Sequence, residues 1–555
     1  MEDFEQEAIN EDLIEFAIRE SIQDAYKLPC SVQTDSLLVA LVCILAGDVD
    51  ALQELSGCAS AFRESDSRGW LPLHAAAVQL QPDVLHTEQT EDGDTALTLA
   101  AEAGQVENIK LLLKHGASPH NNNSRNESPL LIAVRQRSYD MVLSLIMGGA
   151  FVEQVCLTKW RAIHEAAKEG CAAIMMLLLR HGAKITSRDG HGVTPLGIAA
   201  EHGNSEVLDI LIHHGGDVNA QASNGDTVLY DATGSGNLDC VKLLLEHGAN
   251  PNVASYACQL PIHRAAYEGY ILILRTLIPI TTKRAIRLSG QSPVHSAADG
   301  GQVQCLELLI QKGYDVNALL HAHISENYGD LRKTPLYFAV SNGDVTCSER
   351  LLAAGARTDL DPLRCILVAI RAERFDLVEL LLSHGAEVNC YFRVISNTVF
   401  PTALQYCFRD HVMLRLLLNS GYHAYKCFQC GHGDSEELDS TWTELHNQFC
   451  EFVSVSCLAH VVGKVVRMLL DYVSHVSICF KLRQILQRRP EWDEISDILG
   501  KPRSLQHLCR LVIRSHMSLR TLNDPETMAA GPFPPRLMNY LNYRERDLYG
   551  DLLSV

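Results

Sequence analysis

Apolar positions in this 555-residue chain recur with two superposed periods. Over short windows they fall at i, i+3 and i+4, as at Ile174, Leu177 and Leu178, which predicts amphipathic helices with one buried face. Over longer windows whole blocks recur. Each begins with a tetrapeptide such as Leu71-Pro72-Leu73-His74, Ser128-Pro129-Leu130-Leu131 or Arg161-Ala162-Ile163-His164, and later Leu260-Pro261-Ile262-His263, Ser292-Pro293-Val294-His295 and Thr334-Pro335-Leu336-Tyr337. A short helix, a Gly, a second Leu-rich helix and a Gly-Ala turn follow. The Pro-equivalent positions stand at 96, 129, 162, 195, 228 and 261, a spacing of 33 throughout. Two short helices cannot bury both faces alone, so the pattern predicts an all-α solenoid stabilised by its neighbouring repeats.

The residue choices inside one block agree with that. Pro at the first helical turn loses no needed donor. Ala166 and Ala167 keep the first helix slim, and Gly182 after Arg180-His181 suits a left-handed helix stop. The period and the tetrapeptide resemble ankyrin repeats, which implies about twelve helix pairs with short β-hairpin turns over 32–421. Weaker copies are expected at 32–64, where Gly47-Asp48-Val49-Asp50 resembles a second-helix start, and near 365 and 403. Two spacings depart: 72 to 96 is 24 residues, implying a shortened repeat, and 293 to 335 is 42, implying an insertion at 321–330.

The repeat pattern stops after Gly421. Residues 422–500 read as a helical linker, with helices over 457–475 and 478–487. Next comes Ser504-Leu505-Gln506-His507-Leu508-Cys509-Arg510-Leu511-Val512-Ile513, in which Leu505, Cys509 and Ile513 share one stripe widened by Leu508 and Val512. That stripe exceeds what a short terminal helix can hide alone, which suits a helix-in-groove contact. The arrangement resembles the Elongin C-binding half of a suppressor-of-cytokine-signalling (SOCS) box. The resemblance implies that Ser504, Leu505, Leu508, Cys509 and Ile513 contact Elongin C, with Leu505 as anchor. Gly531-Pro532-Phe533-Pro534 with Leu537 and Tyr540 resembles the cullin-selecting half, so Pro532, Phe533, Pro534, Leu537 and Tyr540 are the expected cullin contacts. Gly531 departs, because the pattern has Leu there. The box is placed at 501–545, with a tail at 546–555.

Within residues 1–31, Ile14, Ala17, Ile18, Ser21 and Asp24 line an acidic amphipathic helix that resembles a ubiquitin-interacting motif. Leu13 departs from it, standing where the motif has an acid. The alternative is a helix that docks on the first repeat of this same chain.

Composition narrows the function. With 47 % apolar and 21 % charged residues the chain is globular, and a net charge of −20 argues against a bare phosphate binder. The acidic start offers no secretory leader, and the longest apolar run, Leu37 to Ala46, is too short to span a bilayer. The 18 cysteines, dispersed through helical patterns, are read as thiols of a reducing cytosol, which makes the expected location cytoplasmic. Cys427-Phe428-Gln429-Cys430-Gly431-His432 provides one cysteine pair and a His, whereas a closed zinc site takes four ligands, so a plain linker and no cofactor are expected. The histidines of the tetrapeptide are expected to bond backbone, and Arg483, Arg488, Arg489, Lys501, Arg503, Arg510 and Arg514 to form a solvated face rather than a nucleic-acid surface. No phosphate loop, nucleophile elbow or zinc-protease motif is present, so no catalytic residue is assigned.

The chain as a whole resembles the ankyrin-repeat-and-SOCS-box family. That implies a non-catalytic substrate receptor that holds a protein substrate on its repeats and recruits Elongin C, Elongin B and cullin 5 with a RING subunit. Neither nucleic acid nor membrane is expected as a partner. The alternative is a non-degradative ankyrin scaffold whose box is weakened at Gly531.

Overall fold

The computed structural model describes residues 94–114, 116–123, 125–156, 158–330, 332–392, 398–430, 448–455, 457–517, 534–541 and 543. Among them every regular element is helical, and the inter-repeat turns form no strand, only isolated bridges such as Gln221 to Thr227. The expected helix at Ile14–Asp24, the repeat at 32–64 and the shortened 72–96 spacing lie outside the described residues. The chain divides into two units, one ending at Pro261 and one beginning at Ile262.

In the first unit, five helix pairs follow the 33-residue period: Ala96–Glu102 with Val106–Lys114, Pro129–Arg135 with Tyr139–Met147, Ala162–Glu169 with Ala172–Arg180, Pro195–Glu201 with Ser205–His213, and Val228–Ser235 with Leu238–Glu246. First helices pack on first helices and second on second. Four of these five pairs start at a hydroxyl that satisfies an orphan amide, Thr95, Ser128, Thr194 or Thr227, and the third starts at Arg161 without a side-chain cap. Thr194 Oγ1 accepts from the Gly197 amide at 3.3 Å, and Pro195 takes the first helical position. Pairs end at the glycine stop. Gly182 has φ +88°, and the amides of Gly182 and Ala183 return to the carbonyls of Leu179 and Leu178 at 3.1 and 3.0 Å. Ala166, Ala167 and Leu178 are fully buried, as the slim-helix argument requires.

The tetrapeptide histidines do bond backbone. His164 Nδ1 accepts from the Arg161 amide at 3.0 Å, and its Nε2 lies 3.4 Å from the Ser187 carbonyl of the next turn. In the second unit His295 repeats this, with the Ser292 amide at 3.1 Å and the Lys333 carbonyl at 3.0 Å. Each ring therefore ties its own helix start to the following turn.

From the unit boundary onward come five further pairs: Pro261–Glu268 with Ile271–Leu277, Pro293–Asp299 with Val303–Gln311, Pro335–Ser341 with Val345–Ala353, Cys365–Arg371 with Phe375–Ser383, and Ala403–Cys407 with His411–Asn419. An extra helix, Lys283–Ser289, replaces the hairpin after Leu277. The chain has no Gly stop there, and Thr282 restarts a helix by accepting from the Ala285 amide at 3.2 Å. The insertion after Pro293 is ordered: helix Ala322–Ser325 is followed by Arg332, which pairs with Asp330 at 2.7 Å and lies 4.8 Å from the Tyr328 ring and 5.1 Å from that of Phe338. Asp361, 2 % exposed, accepts from the Lys333 amide at 2.6 Å, the Thr334 amide at 3.1 Å and the Thr334 hydroxyl at 2.5 Å.

After the last repeat come a 3-10 turn at Ala424–Phe428 and helices Phe449–Phe452, Val462–Leu470, Phe480–Leu486 and Trp492–Gly500. The helix expected over 457–475 is shorter at both ends. The chain turns before Val462, and the amides of Asp471 and Tyr472 fall back on i−3 carbonyls. Trp492–Gly500 was not anticipated; it follows Pro490 and carries Asp493 and Glu494 in its first turn, where helix-end amides favour anions. No helix of the described residues is long and apolar enough to cross a membrane.

Candidate partner-docking site

The box is built around helix Leu505–His516. Lys501 and Ser504 are extended, and Ser504 caps the helix by accepting from the His507 amide at 3.2 Å. Ser504 is thus the residue that starts the docking helix.

One face of this helix is anchored. His507 is buried, with Nε2 2.9 Å from the Val473 carbonyl, and burial holds its imidazole below the usual histidine range. Arg514 donates to the carbonyls of Leu541 at 2.7 Å and Asn419 at 2.6 Å. Arg503 donates to those of Leu470 at 2.6 Å and Ser474 at 2.9 Å. Arg510 lies 3.8 Å over the Tyr543 ring and 4.6 Å over that of Tyr540. Tyr543 in turn stacks on Tyr472 and donates to the Asp471 carbonyl at 3.0 Å. The expectation that Arg503, Arg510 and Arg514 form a solvated face is therefore wrong. The carbonyls left unpaired at helix ends need donors, and the arginine fork supplies several from one side chain.

The opposite face is apolar and bare. Leu505 is 77 % exposed, Val512 56 % and Leu508 36 %, and the Cys509 thiol is exposed between them. Ile513, predicted to belong to this stripe, instead leans on Leu541 together with Met517, Leu537 and Met538. The reason is angular. Eight residues are about 80° more than two full turns at 3.6 residues per turn, which carries position 513 round toward the anchored side.

Of the expected cullin contacts, Pro532 and Phe533 lie outside the described residues. Pro534 is exposed, at the start of helix Pro535–Leu541. Leu537 joins the Leu541 cluster and Tyr540 sits beneath Arg510, so both tie this helix to the first. Sequence reasoning missed Arg510, Arg514 and His507 as the residues that orient the bare face. Their signal was present, as cations and a His on the polar side of a strongly amphipathic helix.

The fold and this site define an ankyrin solenoid carrying a terminal adaptor-docking box. Family models agree: ankyrin repeats match at 37–119, 78–156, 163–255 and 316–392, a further single ankyrin repeat at 289–319, and a SOCS box at 501–542. Ankyrin repeat and SOCS box protein 14 of Mus musculus is 44 % identical over 529 residues, covering 92 % of this chain and 90 % of that protein. Its Homo sapiens counterpart is 43 % identical over 574 residues, covering 98 % and 97 %. A Bos taurus protein described as dynein axonemal heavy chain 12 is 48 % identical over 304 residues, 54 % of this chain and 85 % of that one. This chain belongs to the ankyrin repeat and SOCS box family. Members serve in general as substrate receptors of ubiquitin ligases, adaptors rather than catalysts, and the box is their element for binding Elongin B and C and a cullin.

Proposed function

We propose that this chain is the substrate-recognition subunit of a ligase built from Elongin B, Elongin C, cullin 5 and a RING subunit. The observation that carries this reading is the contrast between the two faces of helix 505–516. One is pinned by His507, Arg510 and Arg514, and the other presents Leu505, Leu508, Cys509 and Val512 to solvent. A pre-oriented apolar helix face suits insertion into a partner's groove. Elongin C is the proposed occupant, with Leu505 as its anchor and Ser504 setting the helix start. Pro532, Phe533, Pro534, Leu537 and Tyr540 are the proposed cullin 5 contacts.

The repeats are the proposed substrate-holding surface, and the thiol-rich chain suits the cytosol. For the N-terminal helix, Ile14, Ala17, Ile18, Ser21 and Asp24 are the proposed ubiquitin contacts, and Ala17→Gly with Ser21→Ala should remove the shifts the chain induces in labelled ubiquitin.

The test is co-expression with Elongin B and C, then titration with the cullin 5 N-terminal domain. A stoichiometric ternary complex that also binds the cullin supports a working ligase module. Failure to form the Elongin complex rejects it. A second reading rests on Gly531, at the position where the cullin-selecting pattern has Leu. It predicts an Elongin complex that ignores cullin 5, and hence a scaffold that leaves the lifetime of its ankyrin partners unchanged.

A further inference from the structure

Between the last repeat and the box, three cysteines far apart in sequence meet. The Sγ atoms of Cys430, Cys450 and Cys479 all lie within 4.8 Å of one another, with Cys430 and Cys450 3.5 Å apart. Cys450 and Cys479 are buried and Cys430 is half-buried. Each comes from a different piece of chain. Cys430 follows the 3-10 turn that closes the repeats, Cys450 sits on helix Phe449–Phe452, and Cys479 caps helix Phe480–Leu486. The Cys-x-x-Cys pair noticed in the sequence does not stay together. Cys427 lies outside the cluster, beside the Tyr422 hydroxyl at 4.0 Å.

We propose that Cys430, Cys450 and Cys479 form a thiolate site for Zn²⁺. Tetrahedral zinc with Zn–S bonds of about 2.3 Å sets its sulfurs about 3.8 Å apart, which is the scale of this cluster. Three sulfurs with no hard oxygen ligand required select a soft cation over magnesium or calcium. Loading releases the thiol protons to solvent while zinc takes the sulfur lone pairs. The fourth position falls to water or to an oxygen such as Gln448 Oε1, 2.7 Å from Cys430 Sγ.

The site joins three segments of chain that are distant in sequence. Phe449 and Phe452 pack on Phe400 and Phe408 of the last repeat, 5.3–6.3 Å between ring centroids. Cys450 is carried on that same helix, and Cys479 starts one of the helices leading to the box. A bound metal clips the two together and stiffens the mount from which helix 505–516 is presented.

The experiment is elemental analysis of the full chain, purified without chelator and, in parallel, reconstituted with zinc sulfate under reducing conditions. About one zinc per chain is expected in the parent and in Cys427→Ser, and less than about a tenth in Cys450→Ser and Cys479→Ser. Cys430→Ser, at the half-buried corner, is the variant least apt to disturb folding. Co²⁺ loaded into the parent should give the thiolate-to-cobalt charge-transfer absorption and lose intensity in Cys430→Ser. Four results would overturn the proposal: a parent that takes no zinc on reconstitution, zinc retained in full by Cys430→Ser and Cys479→Ser, copper in zinc's place, or a Cys430–Cys450 disulfide mapped in the freshly isolated, metal-free chain.

Discussion

Arg514 of the box helix donates from Nη2 to the main-chain carbonyl of Asn419, the last residue of the final repeat helix, at 2.6 Å across 95 positions of sequence. Helix C-termini leave carbonyls without intrahelical partners, and a cation there is favoured by the helix dipole as well. The same side chain reaches the Leu541 carbonyl with Nη1, so one guanidinium joins the last repeat to both box helices.

Replacing Arg514 with Met keeps the aliphatic stem and removes both charge-assisted bonds. The expected cost is about 3 kcal/mol in the stability of the C-terminal part. Denaturant unfolding checks the energy. Hydrogen exchange should report faster opening of helix 505–516, while exchange across 96–246 stays unchanged.

Leu505→Ala separates binding from folding. Leu505 is mostly exposed, so its truncation should leave unfolding within about 0.5 kcal/mol of the parent. As a central anchor its loss should weaken Elongin B/C binding by at least about 2 kcal/mol, roughly 30-fold. Calorimetric titration of folded variant and parent measures the ratio, and parity between them would remove Leu505 from the contact.

The repeat histidines make the fold acid-sensitive. Burial lowers His164 to about 4, His263 to about 3 and His295 to about 4. Their unfolded value is about 6.5. Between those limits the unfolded chain binds more protons than the folded one, so stability is fully present above about pH 6.5 and falls as pH drops toward 4. The limiting slope is about 1.4 kcal/mol per pH unit for each ring. Unfolding midpoints at pH 7.5, 6 and 5 should decline in that order, and His295→Asn should flatten the decline.

Asp361 carries a different liability. Its carboxylate is buried among three donors from Lys333 and Thr334, at the point where the insertion returns to the regular repeat. Burial raises its pKa while the donors oppose that rise. Asp361→Ala leaves those donors without an acceptor, at an expected cost of about 3 kcal/mol. Limited proteolysis should then cut within 318–333 faster than in the parent.

Much of this protein was legible in its sequence because its information is local and repeated. The 33-residue period, the capping hydroxyls such as Thr194 and the glycine stops such as Gly182 act over a few residues, and each repeat restates them. The apolar stripe at Leu505, Leu508 and Val512 was readable for the same reason, since helical spacing alone places those side chains together. Three features were decided only by the tertiary structure. Helical spacing already turns Ile513 about 80° from Leu505, and what it meets there is Leu541, which arrives from the other half of the box. Arg503, Arg510 and Arg514 leave solvent because carbonyls and tyrosine rings distant in sequence come within their reach. Cys430 joins Cys450 and Cys479 rather than its sequence neighbour Cys427, because three segments distant in sequence converge on one point. Periodicity reports which face a residue occupies along its own helix; what that face meets is set by long-range packing.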